Sequence, residues 1–274
     1  MEDTSVCVEV IDKQKAESYL SHNHSNRLIQ RIRVEQYKRD MVAGMWQFTG
    51  ESISFYKNGE LKDGQHRLTA IVETGIPQAF VVVRGIPVEN VIADKNQPRS
   101  TKQIAEIAGY DAELRNNDVI SAFKFLYLAF LGKNNPSDME VFSFLDKYGE
   151  RLVSARKVVQ KGSTSPIAKK AAVIAGAFVA LTQSVTLDTL EQFFEVVNSG
   201  FCDSQEQSAA IVLRKSLVDY NRSKQDRTYA FFSTIYAISD FCSGVPRRKA
   251  YKRYFNHPWY DSVKEEIFQK GEGW

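Results

Sequence analysis

The first hundred residues change their hydrophobic period several times. Residues 6–11 (VCVEVI) are rich in β-branched side chains and predict a strand. Val34, Tyr37, Met41 and Val42 recur at helical spacing within residues 33–44, and Gly44 suits the stop of that helix. In residues 52–62 (SISFYKNGELK) Ile53 and Phe55 alternate with polar neighbours, and Asn58-Gly59 is the pair favoured by a two-residue primed turn. A hairpin is expected there. Leu68, Ile71 and Val72 then line one face of a helix over 65–74. Residues 78–86 (QAFVVVRGI) form a continuous apolar run and read as a buried strand. Residues 100–109 open on a Ser100-x-x-Gln103 capping box and close on glycine.

Beyond Gly109 the strand signals stop. Segments beginning at Asn117, Ser137, Ser165, Thr186, Ser204 and Asp226 all read as helices, broken by Gly, Pro, Ser or Asn. The tail 245–268 predicts one or two more. The expected fold class is α+β: a small α/β domain over residues 1–110, followed by an all-helical domain over 111–274. A chain of 274 residues is long enough for one large or two modest domains.

Composition narrows the function classes. Hydrophobic residues make up 43% and charged residues 25%, as in ordinary globular proteins. A net charge of +3 is too small to prove a nucleic-acid partner. Cys7, Cys202 and Cys242 are too far apart for a disulfide framework or a zinc ribbon. The N-terminal residues lack the basic start and apolar core of a signal peptide, and the apolar run 171–181 is too short for a bilayer. A reducing, cytoplasmic setting and no membrane partner are expected. Neither G-x-G-x-x-G nor G-K-[ST] occurs, which disfavours a Rossmann or P-loop site.

One stretch is anomalous in its charge. Helix first turns favour acidic side chains, because the free amides there carry partial positive charge. The helix at 65–74 instead follows DGQHR, with His66 and Arg67 in its first turn. Asp63 is the expected N-cap. Gly64 lets a backbone or a ligand approach closely. Arg67 can grip two phosphate oxygens in a fork, and His66 can donate a hydrogen bond or move a proton. The alternative is a solvated surface turn with Asp63 as a plain cap.

On the residues LKDGQHRLTAIVETGIP with VVVRGI after them, the first part of the chain resembles the ParB/sulfiredoxin superfamily, and within it phage-type ParB-like proteins with a DGQHR motif. The resemblance spans roughly residues 5–109. It implies a ParB/sulfiredoxin-like domain that binds nucleotide or DNA phosphate through Asp63, Gly64, Gln65, His66 and Arg67. Members include partition proteins, nucleases, an ATP-using sulfinic-acid reductase and a serine kinase, and some phage members are thought to act in DNA base modification. Gln65 stands where the reductase branch carries its Cys, so reductase chemistry is not expected.

Other stretches offer candidate contacts. In the loop 93–101, Asp94, Lys95, Asn96 and Arg99 can face the ligand of Arg67, and Asp94 with Asp63 offers oxygens to a divalent cation such as Mg²⁺. In 21–33, His22 and His24 lack supporting metal ligands, and Arg27 is the candidate phosphate contact. Trp46 either stacks on a base or packs between helix and sheet. Residues 247–255 carry the strongest basic cluster, with Arg247, Arg248, Lys249, Lys252 and Arg253 among aromatic residues. They are candidate DNA contacts, or a solvated helix end. A weaker basic stretch covers 156–170.

The first expectation is a phosphate-directed enzyme, of nuclease or NTPase type, with His66, Arg67 and Asp63 in the chemistry. Its ligand would be DNA or a nucleoside triphosphate such as ATP or CTP. The alternatives are a DNA- or nucleotide-binding adaptor or regulator without chemistry, and a phage DNA base-modification transferase.

Overall fold

The computed structural model describes residues 4–24, 26, 28–87, 100–162, 171–222, 227–251 and 256–269. The chain divides into two compact units, the first ending at Pro98 and the second running from Arg99.

In the first unit the elements run β1 (Ser5–Ile11), α1 (Lys13–Leu20), α2 (Arg31–Val42), β2 (Ser52–Tyr56), β3 (Leu61–Asp63), α3 (Gln65–Thr74) and β4 (Gln78–Ile86). The four strands form one sheet in the order β1-β4-β2-β3. β4 lies antiparallel to β1 and parallel to β2, and β2 is antiparallel to β3. α1 and α2 both pack on α3. Ile11, Val34, Met41, Ile53, Leu68 and Phe80 belong to the core that these elements enclose. The Trp46 ring meets Tyr37 and Phe80 edge-on at 5.4 and 5.6 Å, so this tryptophan packs between helix and sheet.

Several local expectations change. α1 has only Ala16 buried, so its apolar period is faint. Its start is nonetheless written in the chain, because Asp12 accepts from the Lys15 amide at 2.8 Å. The hairpin turn is not of the primed two-residue type. Tyr56 N–H donates to the Glu60 carbonyl, Gly59 N–H to the Tyr56 carbonyl, and Gly59 alone in the turn takes positive φ, at 86°. That is a three-residue loop ending on a left-handed glycine. Val42 is 69% exposed, on the outer face of α2. β4 buries only Phe80 and Val82 fully.

At one end of the helix-covered sheet face, Glu9 of β1 gathers four donors. Arg84 (2.7 Å), Lys15 (2.5 Å), Tyr19 (2.6 Å) and the Cys7 thiol (3.1 Å) all reach its carboxylate. Burial alone would raise the pKa of Glu9, but the hydrogen bonds from Arg84, Lys15 and Tyr19 outweigh it and hold the carboxyl well below the usual range. Burial and the Glu9 bond push the Tyr19 phenol up to about 12. A depressed carboxylate stabilises the fold fully above its unfolded value of 4.5 and loses that contribution as pH falls through the folded value. Glu9→Gln should therefore cost about 2 kcal/mol at neutral pH and flatten the loss of stability below pH 4.5. Denaturant unfolding from pH 7 to pH 3 would test this (an approximate acid range). Parallel profiles for the two proteins would remove Glu9 from the account.

The second unit has helices and no strand among its described residues. It contains α4 (Thr101–Ile107), α5 (Asn117–Leu131), α6 (Asp138–Gln160), α7 (Ala171–Thr182), α8 (Leu187–Ser199), α9 (Ser208–Arg222), α10 (Arg227–Cys242) and α11 (Pro258–Val263). The Ser100–Gln103 capping box forms as expected, and α4 packs on α5 and α6. The helix at 100–109 therefore groups with the helical unit and not with the sheet.

The apolar run 171–181 explains itself as α7, which is buried on every side between α5, α6 and α10. A Cβ at Gly176 would come within 2.8 Å of Thr234, so the close approach of α7 and α10 requires glycine there. His257 caps α11 by accepting the Trp259 amide at Nδ1, and burial pushes its imidazole pKa down. Among the described residues no helix is long and apolar enough to cross a membrane.

Candidate functional site

The DGQHR turn is built where β3 hands over to α3. Asp63 is the last residue of β3, and Gly64 is the N-cap, at φ 110° and ψ 0°. Only glycine takes that left-handed conformation cheaply. A Cβ on it would also lie 2.4 Å from Ile53 Cδ1. The expected cap was Asp63. It sits one residue earlier, and its Oδ1 accepts from the Gly64 amide at 2.7 Å. The chain thus makes its sharp turn at the glycine, and the carboxylate braces that turn from the strand side.

The first helical turn points inward. Gln65, His66 and Arg67 are 4%, 8% and 8% exposed, which removes the solvated-surface alternative. Arg67 donates from one terminal nitrogen to the Ser52 carbonyl at 2.8 Å and to Asp63 Oδ2 at 3.2 Å. Its other terminal nitrogen donates to Glu51 Oε2 at 3.1 Å. Its Nε–H is buried and meets no acceptor among the described residues. His66 accepts the Gln30 amide at Nε2, 2.9 Å away, which assigns the ring proton to Nδ1 and leaves the ring neutral. Gln65 accepts from Asn23 at 3.0 Å. Asn26 bonds both Asn23 (2.7 Å) and the Leu61 carbonyl (2.6 Å), and Leu61 N–H donates to the His22 carbonyl.

The charge anomaly resolves through these partners. One guanidinium at the helix start is matched by two carboxylates, Asp63 and Glu51, and the imidazole is neutral. Asn23 and Gln30 bond the motif directly, and His22 and Asn26 bond Leu61 just before it. The sequence reading missed Glu51, Ser52, Asn23 and Gln30. They stand 15 to 42 positions from their partners, and no local pattern marks such pairs.

No family model, curated protein or solved structure matches the chain.

The remaining candidates fall into three groups. Arg27, Asp94, Lys95, Asn96, Arg99, Lys252 and Arg253 lie outside the described residues. His22 and His24 are exposed, and among the described residues no group of three or more His, Cys, Asp or Glu is placed to hold a metal ion. The basic tail divides. Arg247 donates to Asp240 at 2.6 Å, lies over the Tyr251 ring at 4.9 Å and sends its amide to Ser208 Oγ. It is paired within the helical unit, with its side chain 40% exposed. Tyr251 also donates to Asp240, and burial with that neighbouring charge pushes its phenol pKa well up. Arg248 and Lys249 are exposed.

The chemistry open to the motif follows from how its partners are held. The side chains of Asp63 and Glu51 are 67% and 68% exposed, whereas that of Arg67 is 10% exposed. The Glu51 carboxylate can turn into solvent while the guanidinium stays fixed, whereas Asp63 is held by the Gly64 amide. Phosphate oxygens suit the same fork. The His66 lone pair is engaged by a backbone amide, so proton transfer at Nε2 requires that bond to open.

Proposed function

We propose that the first unit is a ParB/sulfiredoxin-like module that binds a phosphate group of DNA or of a nucleoside triphosphate such as ATP or CTP. It acts as an adaptor or regulator by binding and not by chemistry. The observation that carries this reading is Arg67. A buried guanidinium at a strand-to-helix turn keeps one N–H without an acceptor among the described residues, and one of its two matching carboxylates, Glu51, is exposed enough to swing away. The engaged lone pair of His66 favours binding over the nuclease, NTPase or transferase readings.

Among the described residues no group of three or more His, Cys, Asp or Glu is placed to hold a metal ion, and Asp94, the expected partner of Asp63 for Mg²⁺, lies outside them. Exposed Arg248 and Lys249 would add salt-dependent DNA contacts. Ligands of this kind fit a cytoplasmic setting.

Arg67→Lys keeps the charge and loses the fork. It should weaken binding of labelled duplex DNA or nucleotide about tenfold or more per folded molecule, the folded fraction being read from the melting curve. Equal binding by both proteins, or no binding by the wild type at low salt, would end the proposal. Turnover of ATP, CTP or DNA that vanishes in His66→Ala would replace it with the enzyme reading.

A further inference from the structure

The open edge of the sheet carries a feature that the phosphate site does not use. β1 is an edge strand, and Val6, Val8 and Val10 are 63%, 64% and 66% exposed on the face opposite Ile11. β4 has a strand on each side, and the residues paired with those valines (Val83, Val81 and Ala79) are half-buried. Among the described residues no backbone hydrogen bond closes the outer edge of β1. The strand is seven residues long and holds no Pro, Gly or Lys. Its one charge, Glu9, turns to the other face and is matched there by Arg84 and Lys15. Edge strands in monomers are usually shortened, bulged or studded with charge to prevent pairing. β1 is neither short nor bulged nor charged on its exposed face, and its one inward-pointing charge, a further device of this kind, is already matched by Arg84 and Lys15.

We infer that β1 pairs antiparallel with β1 of a second copy, across a two-fold axis at Val8. The strand's own symmetry argues for this partner. Val8 is the midpoint of Ser5–Ile11, so pairing about it matches the full strand. Val6 then faces Val10 of the second copy and Val8 faces Val8, which continues one valine stripe across the axis. Cys7 faces Glu9, so the two glutamates never oppose each other. A shift centred on Glu9 would put like charges face to face, which is unfavourable.

Such an interface is isologous and closes at two copies. The far edge of each sheet is β3, only three residues long, too short to extend the assembly.

Sedimentation equilibrium tests the inference. The wild type should be a dimer. Val8→Lys places two cations at the axis and should give a monomer with an unchanged circular dichroism spectrum. Val8→Thr keeps β-branching and should stay dimeric. Mixing Val8→Lys with Val8→Glu should restore a mixed dimer, which also shows that both variants fold. A monomeric wild type, an open-ended polymer, or a Val8→Lys protein that remains dimeric would each overturn it.

Discussion

Gly64→Ala is expected to destabilise the first unit by about 2–5 kcal/mol. Two costs combine. A left-handed conformation costs an L-residue about 1–2 kcal/mol. The new methyl would also start 2.4 Å from Ile53 Cδ1, and overpacking a filled core costs about 1–3 kcal/mol. Ile53 is fully buried, so the clash cannot be relieved by turning into solvent. The two costs separate in a double variant. Ile53→Val alone should lose about 0.5–1.5 kcal/mol. In the Gly64→Ala background it removes the clashing atom and should be neutral or stabilising, which leaves the backbone strain behind. Hydrogen exchange of the Leu68–Ile71 amides reads the first unit without interference from the second. Additive effects of the two changes would refute the steric half of the account.

The same turn shows where the sequence was readable and where it was not. The bounds of α3 were legible as 65–74, because Leu68 and Ile71 set the period and the glycines at 64 and 75 frame it. The strand 78–86 and the Ser100–Gln103 box were legible for equally local reasons. α1 was not, since an eight-residue helix with only Ala16 buried writes almost no hydrophobic period.

The direction of the motif was not legible either. His66 and Arg67 look like surface cations until Gln30, Glu51 and Ser52 are brought to them. Those partners come from other elements and follow no spacing rule. An unusual charge therefore marked a turn whose side chains are buried and paired, while its local reading as a positive site left out Glu51. For the same reason Arg247, the first of the expected DNA contacts, proves to be held by Asp240. A cation's availability is set by tertiary neighbours that a run of basic letters does not reveal.

Glu140→Ala is expected to cost the helical unit about 3–5 kcal/mol, the largest single effect on its stability. Glu140 is fully buried at the start of α6 and completes a capping box with Ser137. Its Oε2 accepts the Ser137 amide at 2.6 Å, and its Oε1 accepts the hydroxyl of Tyr127 at 2.7 Å. Tyr127 lies on α5 and is itself fully buried, so one carboxylate caps a helix and ties it to its neighbour. Alanine takes the acceptor from both donors, at about 1–3 kcal/mol each, and adds a cavity.

Glu140→Gln should cost far less, about 1.5 kcal/mol or below. Its amide oxygen can still accept from Ser137, and the phenol can rotate to accept from the new NH₂ group. Tyr127→Phe gives the cross-check. In the wild type it deletes a good bond and should destabilise. In the Glu140→Ala background it removes a hydroxyl that no longer reaches Glu140 and should cost about 1 kcal/mol less than in the wild type. Denaturant unfolding of the wild type, the two single variants and the double variant measures that coupling. Additive losses would mean that the two side chains act separately and that the tie between α5 and α6 does not depend on this bond.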